Sequence, residues 1–215
     1  NHFVMAWYHP EGADPTYEVD EIDEMSSEDY SDWTTVHFSV AAATQELAEN
    51  SVDGPHFRYV HNTEIGPEIQ SYETEGPVAR MRSIQRFPTP RGTVDGRIDV
   101  DNHGPGFGFT RFSGIVDTFL VGAAIPVDAT RSEVRFSFKV RSLGDGDATS
   151  GVGRAFINEV CKQFEEDRPI EARELLEDRI EPAHRHALAE HAPERGRDAE
   201  IGDASFAALQ PRIQI

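Results

Sequence analysis

The sequence predicts an α+β domain in which an antiparallel β-sheet wraps around a long C-terminal helix. Between residues 68 and 143, six short β-rich runs alternate with regularly spaced turn residues, which is typical of an antiparallel meander. Residues 151–190 instead carry apolar residues at helical spacing. With 215 residues and 38% hydrophobic content, the chain is long enough to form one such domain around its own core.

The segment before the meander holds two predicted strands and an acidic connection. A strand is expected from His2 to Tyr8, and it ends at the turn residues His9-Pro10-Glu11-Gly12. Residues 11–32 are acidic and are expected to run over the surface. Residues 33–43 alternate loosely between apolar and polar side chains, which predicts the second strand.

A helix is predicted between that strand and the meander. Thr44 is a suitable N-cap, and the helix is expected to reach about His61. Pro55 lies inside it and donates no backbone hydrogen bond, so a kink or restart is expected there. The predicted strands of the meander are Ile69–Tyr72, Val78–Phe87, Thr93–Asp101, Gly106–Phe112, Asp117–Ile125 and Glu133–Arg141.

The last predicted helix presents Phe156, Val160 and Phe164 on one face. Pro169 predicts a break in this helix, because proline removes one of its hydrogen bonds. The domain is therefore expected to span residues 1–190, followed by a tail of weak periodicity over residues 191–215 that is expected to be poorly ordered.

Charge and cysteine content exclude several classes of function. Asp and Glu total 39 against 20 Lys and Arg, a net charge of -19, so nucleic acids and anionic membrane surfaces are not expected as partners. The single cysteine, Cys161, excludes an internal disulfide, a cysteine-based zinc site and a self-contained iron–sulfur cluster. Because no disulfide framework or membrane-spanning run is present, a cytoplasmic location without a membrane span is expected.

A candidate metal site lies in the run from Asp53 to His61. Two neutral imidazoles and one carboxylate on one face of iron(II) leave positions open for O₂. At roughly 100° per residue, Asp53 and His56 share a helix face, but His56 and His61 diverge by about 140°. They converge only where the helix bends or ends, as the Gly54-Pro55 pair permits. The alternative interpretation is a pair of surface histidines on a short helix.

The spacing Asp-x-x-His-x-x-x-x-His resembles the iron-binding signature of the Rieske non-haem iron oxygenases. The resemblance implies that His56 and His61 are iron ligands. It also implies that Asp53 connects this iron to a histidine of a neighbouring subunit's Rieske cluster.

The same resemblance implies a third ligand, an aspartate on the long C-terminal helix. The segment at residues 164–170 resembles that part of the family, and Asp167 is the assigned ligand. Glu165 and Glu166 remain alternatives, because the sequence does not show which of the three consecutive acidic residues is the ligand. Asn50 is a further candidate, as a residue near the iron that would orient a metal ligand without binding the metal itself.

The N-terminal run Val4-Met5-Ala6-Trp7-Tyr8-His9-Pro10-Glu11-Gly12 is similar to the segment that leaves the Rieske domain in this family. The subgroup it resembles comprises the oxygenase component of 3-ketosteroid 9α-hydroxylase and related sterol oxygenases, over residues 1–175. The implied fold is the helix-grip fold, as in START and Bet v1-like proteins. The cysteine–histidine pairs of the Rieske cluster are absent, so that [2Fe-2S] domain is expected to be missing upstream of this catalytic domain.

The resemblance implies a monooxygenase or dioxygenase that uses Fe(2+) and O₂ to hydroxylate an apolar ring substrate, with a steroid or sterol expected. Electrons would come from the Rieske [2Fe-2S] cluster of the missing domain and from an external ferredoxin or flavin reductase. A homotrimer is expected for the full-length protein, because a neighbour's cluster must come close.

Two other functions are weighed against the oxygenase. A metal-free lipid- or steroid-binding module of the helix-grip type would use the same architecture with incidental histidines. A zinc- or iron-dependent hydrolase ranks last, because no general base is identified. Four phenylalanines of the meander are expected to form core, with the lining of an apolar substrate cavity as the alternative: Phe107, Phe109, Phe112 and Phe119.

Overall fold

A computed structural model of the chain describes residues 3–5, 9–50, 60, 66–89, 92–144 and 146–178. Side chains are described throughout these ranges except at residues 50, 88–89, 146–149 and 168–178.

Seven strands and three helices occur within the described ranges. In chain order they are α1 (Asp23–Ser26), β1 (Thr34–Val40), α2 (Thr44–Asn50), β2 (Glu68–Glu75), β3 (Val78–Thr89), β4 (Gly92–His103), β5 (Phe107–Ser113), β6 (Thr118–Asp128), β7 (Arg131–Val140) and α3 (Gly146–Asp178). The strands form one sheet in the order β1-β7-β6-β5-β4-β3-β2, and every neighbouring pair is antiparallel. The predicted α+β architecture is confirmed.

The six predicted strands of the meander correspond to β2 through β7, with boundaries that differ by a few residues. The first strand of the sheet, β1, lies within the predicted run from residue 33 to residue 43 and pairs with β7. The strand predicted from His2 to Tyr8 is not found over residues 3–5, and the rest of that prediction lies outside the described residues.

Helix α3 packs on one face of the sheet and closes the main core. Phe156, Val160 and Phe164 all contact this core, as their helical spacing predicts. A Cβ on Gly153 would lie 2.9 Å from methyl groups of Val140, so glycine allows the helix to approach β7 closely. The buried apolar residues of this core are Phe38, Val40, Ala42, Val116, Leu120, Val134, Phe138, Val140 and Ile157.

The break predicted at Pro169 is wrong, because α3 continues through it to Asp178. A proline removes a single backbone hydrogen bond, and the bonds of the turns on either side keep such a helix continuous. The domain boundary predicted at residue 190 and the tail at 191–215 lie outside the described residues.

The acidic N-terminal segment covers the opposite face of the sheet. Ile22, Met25 and Trp33 pack there against Phe109 and Phe119. The ammonium group of Lys139 donates hydrogen bonds to the backbone carbonyls of Glu24, Met25 and Ser27, at 3.0, 3.3 and 3.2 Å. The segment is therefore held against the sheet and contributes to a second core, which the prediction of a surface connection did not include.

Candidate functional site

A cavity of about 260 Å³ lies between the sheet and the helices α2 and α3. This volume is near the lower end of the range for small-molecule sites, which begins at about 300 Å³. Its lining is mainly apolar, so it suits an apolar molecule. The lining residues are Leu47, Ala48, Pro67, Met81, Ile98, Val100, Asn102, Pro105, Gly106, Phe107, Gly108, Thr110, Phe112, Leu120, Gly122, Ala123, Ala124, Val134, Phe136, Val160, Gln163, Phe164 and Asp167.

Asp167 brings a carboxylate to this cavity from α3. It is 6% exposed and lies one helical turn beyond Phe164 and Gln163, which line the same wall. A carboxylate is rarely buried in this way unless it is paired or coordinates a metal, because losing its hydration is costly. The position therefore suits a metal ligand.

The two neighbouring acids point elsewhere. Glu165 is exposed, and Glu166 forms an ion pair with Lys162 on the helix surface at 3.5 Å. Successive residues on an α-helix are separated by about 100° around its axis, so only one of three consecutive side chains faces a given wall. Among the three candidates for the third ligand, Asp167 is the one that the fold directs into the cavity.

Helix α2 borders the same cavity through Leu47 and Ala48. It contacts both β6 and α3 and is described as far as Asn50. The helix that leads into the predicted ligand run thus lies beside the wall that carries Asp167.

The other predicted site residues, Asp53, His56 and His61, lie outside the described residues, as does the side chain of Asn50. Within the described ranges, no group of three or more His, Cys, Asp or Glu side chains is placed to hold a metal ion. Of Asp53, His56, His61 and Asp167, only Asp167 lies among the described residues. The assembly of all four into one metal site stays a prediction.

The sheet contributes to the cavity two polar side chains that are not among the predicted site residues. Asn102 on β4 and Thr110 on β5 both line it. Their positions follow from strand alternation, since Val100 and Asn102 share one face of β4, and Gly108, Thr110 and Phe112 share one face of β5. That alternation is the signal from which they could have been found.

The four candidate phenylalanines divide between two environments. Phe107 and Phe112 line the cavity, whereas Phe109 and Phe119 are fully buried on the opposite face. Phe107, at the start of β5, also contacts that second core. The core prediction therefore holds for Phe109 and Phe119, the cavity alternative holds for Phe112, and Phe107 belongs to both environments because its ring also packs on Phe109.

Cys161 lies on α3 and packs against both halves of the main core. Burial raises the pKa of its thiol, and the charge of Glu165 raises it further. The neutral thiol is a poor metal ligand, because metals bind the thiolate. The residue therefore acts as a small apolar side chain of the core.

Among the described helices, none has a stretch both long and apolar enough to cross a membrane.

Comparison with known proteins identifies the family. The family described as "3-Ketosteroid 9alpha-hydroxylase C-terminal domain" matches residues 6–175. The oxygenase component of 3-ketosteroid-9-alpha-monooxygenase from Rhodococcus rhodochrous is 26% identical over 184 residues, which cover 78% of this chain and 46% of that protein. A second protein of the same description and organism is 37% identical over 92 residues, which cover 40% of this chain and 24% of that protein. The chain spans about half the length of the relative that it matches most extensively.

Solved structures share the fold at low sequence identity. Dicamba monooxygenase bound to dicamba superposes with a TM-score of 0.58 and 14% identity, covering 90% of this chain and 60% of that chain. The NdmA QL mutant of Pseudomonas putida CBB5 with theobromine gives a TM-score of 0.54 and 16% identity, and the match covers 72% of this chain and 45% of that chain. The helix-grip architecture predicted from the sequence is thus confirmed, and the family match extends over about four-fifths of the chain. The chain belongs to the family of 3-ketosteroid 9α-hydroxylase C-terminal domains, the group of Rieske oxygenases that its motif resembles.

Proposed function

We propose that the chain is the catalytic domain of a Rieske-type oxygenase, which holds mononuclear iron(II) beside its apolar cavity and hydroxylates an apolar ring substrate. The observation that carries this proposal is the buried carboxylate of Asp167, which lines the cavity on the helix where the family resemblance expects a ligand. The proposal extends the family membership to a metal and a reaction.

The residues of the chain fit iron(II). Two imidazoles and one carboxylate form a donor set that suits this ion and leaves coordination positions open. Asp167 would supply the carboxylate, and His56 and His61 would supply the imidazoles. These histidines follow α2 closely in sequence, and α2 borders the cavity that Asp167 lines. When bound, the iron would supply the activation of O₂ that an unactivated C–H bond requires.

Asp53 would act beside the ligands. Its proposed role is to accept a hydrogen bond from one ligand histidine, which fixes the tautomer of that imidazole. It would also lie on the route by which electrons arrive. The electron source would be a Rieske [2Fe-2S] cluster outside these 215 residues, supplied in turn by a ferredoxin or flavin reductase. A homotrimer would bring a neighbour's cluster within reach.

The cavity would position the substrate. Aromatic walls from Phe112, Phe136 and Phe164 exclude water and offer apolar contact to a ring system. The relatives from Rhodococcus rhodochrous are named for 3-ketosteroids. A steroid or sterol is therefore the substrate class that we propose for this chain.

The decisive experiment is an iron titration. The purified chain is stripped with a chelator, dialysed and titrated anaerobically with Fe(2+), and bound iron is counted by elemental analysis. We expect about one tightly held iron per chain, as a three-residue donor set predicts. A chain that binds a steroid but retains no iron would contradict the oxygenase proposal and favour the metal-free binding module.

A further inference from the structure

The sheet floor of the cavity is apolar with two exceptions. Among the described sheet residues that line it, only Asn102 and Thr110 carry polar side chains. The remaining polar lining comes from α3, as Gln163 and Asp167. A ligand in the cavity therefore lies between a carboxylate on the helical wall and a small polar patch on the floor.

The register of β4 and β5 makes Asn102 and Thr110 neighbours. Asn102 pairs with Gly108, and Val100 pairs with Thr110, so the two polar side chains are diagonal neighbours on one face. A Cβ on Gly108 would lie 2.3 Å from Oδ1 of Asn102. The amide of Asn102 thus occupies space that only glycine at position 108 leaves open, and it lies over the floor beside Thr110.

The hydroxyl of Thr110 has no hydrogen-bond partner among the described residues, although Thr110 lines a cavity with apolar walls. Thr110 is half-buried, and an apolar ligand that displaces water from its hydroxyl leaves that hydroxyl unsatisfied, which carries a desolvation penalty. An oxygen atom on the ligand removes that penalty, because a hydroxyl donates to a ketone and both donates to and accepts from an alcohol.

We propose that Thr110, with Asn102 beside it, hydrogen-bonds a ketone or hydroxyl oxygen at one end of an otherwise apolar ring ligand. This contact fixes which end of the ligand meets the floor, and therefore which carbon atoms face the wall that carries Asp167. Thr110 is in this sense a specificity-determining residue. The inference rests on the proposed function for its substrate class, but its test measures binding and not turnover.

The test compares a ketone with its hydrocarbon in the same ring system. Dissociation constants of 5α-androstan-3-one and 5α-androstane are measured by equilibrium dialysis with tritiated ligand, on the native chain and on Thr110→Val, Thr110→Ser and Asn102→Leu. Thr74→Val is the matched control, since Thr74 is an exposed strand residue on β2, outside the cavity lining. Circular dichroism of each variant verifies the fold.

We expect Thr110→Val to weaken binding of the ketone by roughly 3- to 12-fold, the equivalent of one net hydrogen bond, and not to weaken binding of the hydrocarbon, which loses an unsatisfied hydroxyl from its surroundings. Thr110→Ser should retain the native affinity for the ketone, because serine keeps the hydroxyl. Asn102→Leu should show part of the ketone-specific loss, and Thr74→Val should change the affinity for neither ligand. The inference is overturned if Thr110→Val binds the ketone like the native chain, if both ligands weaken equally, or if the native chain binds no ketone. A chain that shows the ketone-specific loss without binding iron would overturn the oxygenase proposal while leaving this inference intact.

Discussion

Arg111 on β5 donates a hydrogen bond from Nε to Oε1 of Glu24 in α1, at 2.6 Å. A second bond joins Nη2 to Oε2 of Glu24 at 3.3 Å, and Nη1 donates to Oδ2 of Asp101 at 3.0 Å. One half-buried guanidinium thus connects the N-terminal segment to two strands of the sheet. Burial raises the pKa of Glu24, but its hydrogen bonds and the charge of Arg111 outweigh this, so the net pKa lies below the ordinary value of 4.5.

Glu24→Gln is expected to lower the free energy of unfolding by about 1–3 kcal/mol at neutral pH, because Arg111 loses a charged bidentate partner. Urea denaturation measures this change. A carboxyl with a lowered pKa in the folded state stabilises the fold above pH 4.5 and loses that contribution as the pH falls further. The free energies of unfolding of the variant and the native chain should therefore converge in acid.

Glu28→Gln is the control, because Glu28 is an exposed residue of the same segment. It should change the free energy of unfolding by less than about 0.5 kcal/mol. An equal effect in both variants would contradict the role of the contact between Glu24 and Arg111.

Gly96 on β4 is expected to tolerate no side chain. A Cβ there would lie 2.1 Å from the carbonyl oxygen of Ser113 and 2.6 Å from the ring of Phe87. Because the first of these atoms belongs to the backbone of β5, Gly96→Ala must separate the two strands locally, and we expect a loss of about 2–3 kcal/mol in thermal or urea unfolding.

Gly122→Ala is the matched control for this exchange. Gly122 lies on β6, and the nearest atom to its added Cβ would be a ring carbon of Phe136 at 3.8 Å, an ordinary contact. We expect stability within about 0.5–1 kcal/mol of the native chain. Similar losses at both glycines would mean that the close contact with Ser113 and Phe87 is not the cause of the loss at position 96.

His103 is expected to make stability depend on pH. Its side chain is 1% exposed, and neither ring nitrogen has a hydrogen-bond partner among the described residues. Burial lowers the pKa of His103 below its ordinary value of 6.5, and Arg80 lowers it further, while Asp20 and Asp101 oppose this. The unfolded chain therefore takes up a proton near pH 6.5 that the folded chain resists, so stability is full above that pH and declines below it.

Unfolding in urea at about pH 7.5 and about pH 5.5 measures this effect, with a slope of at most about 1.4 kcal/mol per pH unit for one proton. His103→Phe should flatten the dependence, since phenylalanine does not titrate. His37→Gln, at an exposed position of β1, should leave it unchanged. If His103→Phe retains the full slope, another group is responsible for it.

Asp167→Asn is expected to weaken iron binding by at least roughly 100-fold while preserving the volume of the side chain, because an amide is a poorer ligand than a carboxylate. Glu166→Gln, at the preceding position of α3, is the control, since Glu166 pairs with Lys162 on the surface. Anaerobic titration of both variants with Fe(2+) distinguishes them. A loss of iron in Glu166→Gln with full occupancy in Asp167→Asn would reassign the third ligand.

Asp53→Asn is expected to separate iron binding from electron delivery. The proposed role of Asp53 is to connect the iron to an electron source, so the variant should hold iron at native stoichiometry. In the enzyme complete with its Rieske domain and reductase, it should lose roughly 10- to 100-fold in turnover, the range typical of losing a carboxylate that orients a metal ligand. His56→Ala, in contrast, should lose the iron itself. Normal turnover by Asp53→Asn would contradict the proposal that Asp53 connects the iron to the electron source.

The sequence predicts the meander well because strand alternation and turn residues are local signals. The helical repeat of Phe156, Val160 and Phe164 is equally local, and the same residues pack on the core. The break at Pro169 is predicted wrongly, because the residue's missing hydrogen bond is visible in the sequence while the compensation from adjacent turns is not. The role of the acidic segment is missed for a related reason, since its apolar residues contact strands far away in the chain.

The class of fold and the residue types of a candidate iron site follow from patterns along the chain, and the family follows from the resemblance of its motifs. Which of Glu165, Glu166 and Asp167 faces the cavity depends on the rotation of α3 against the sheet, so it is visible only in the folded chain. The meeting of Asn102 and Thr110 on the floor of that cavity also requires the fold, because strand register, and not sequence proximity, makes them neighbours.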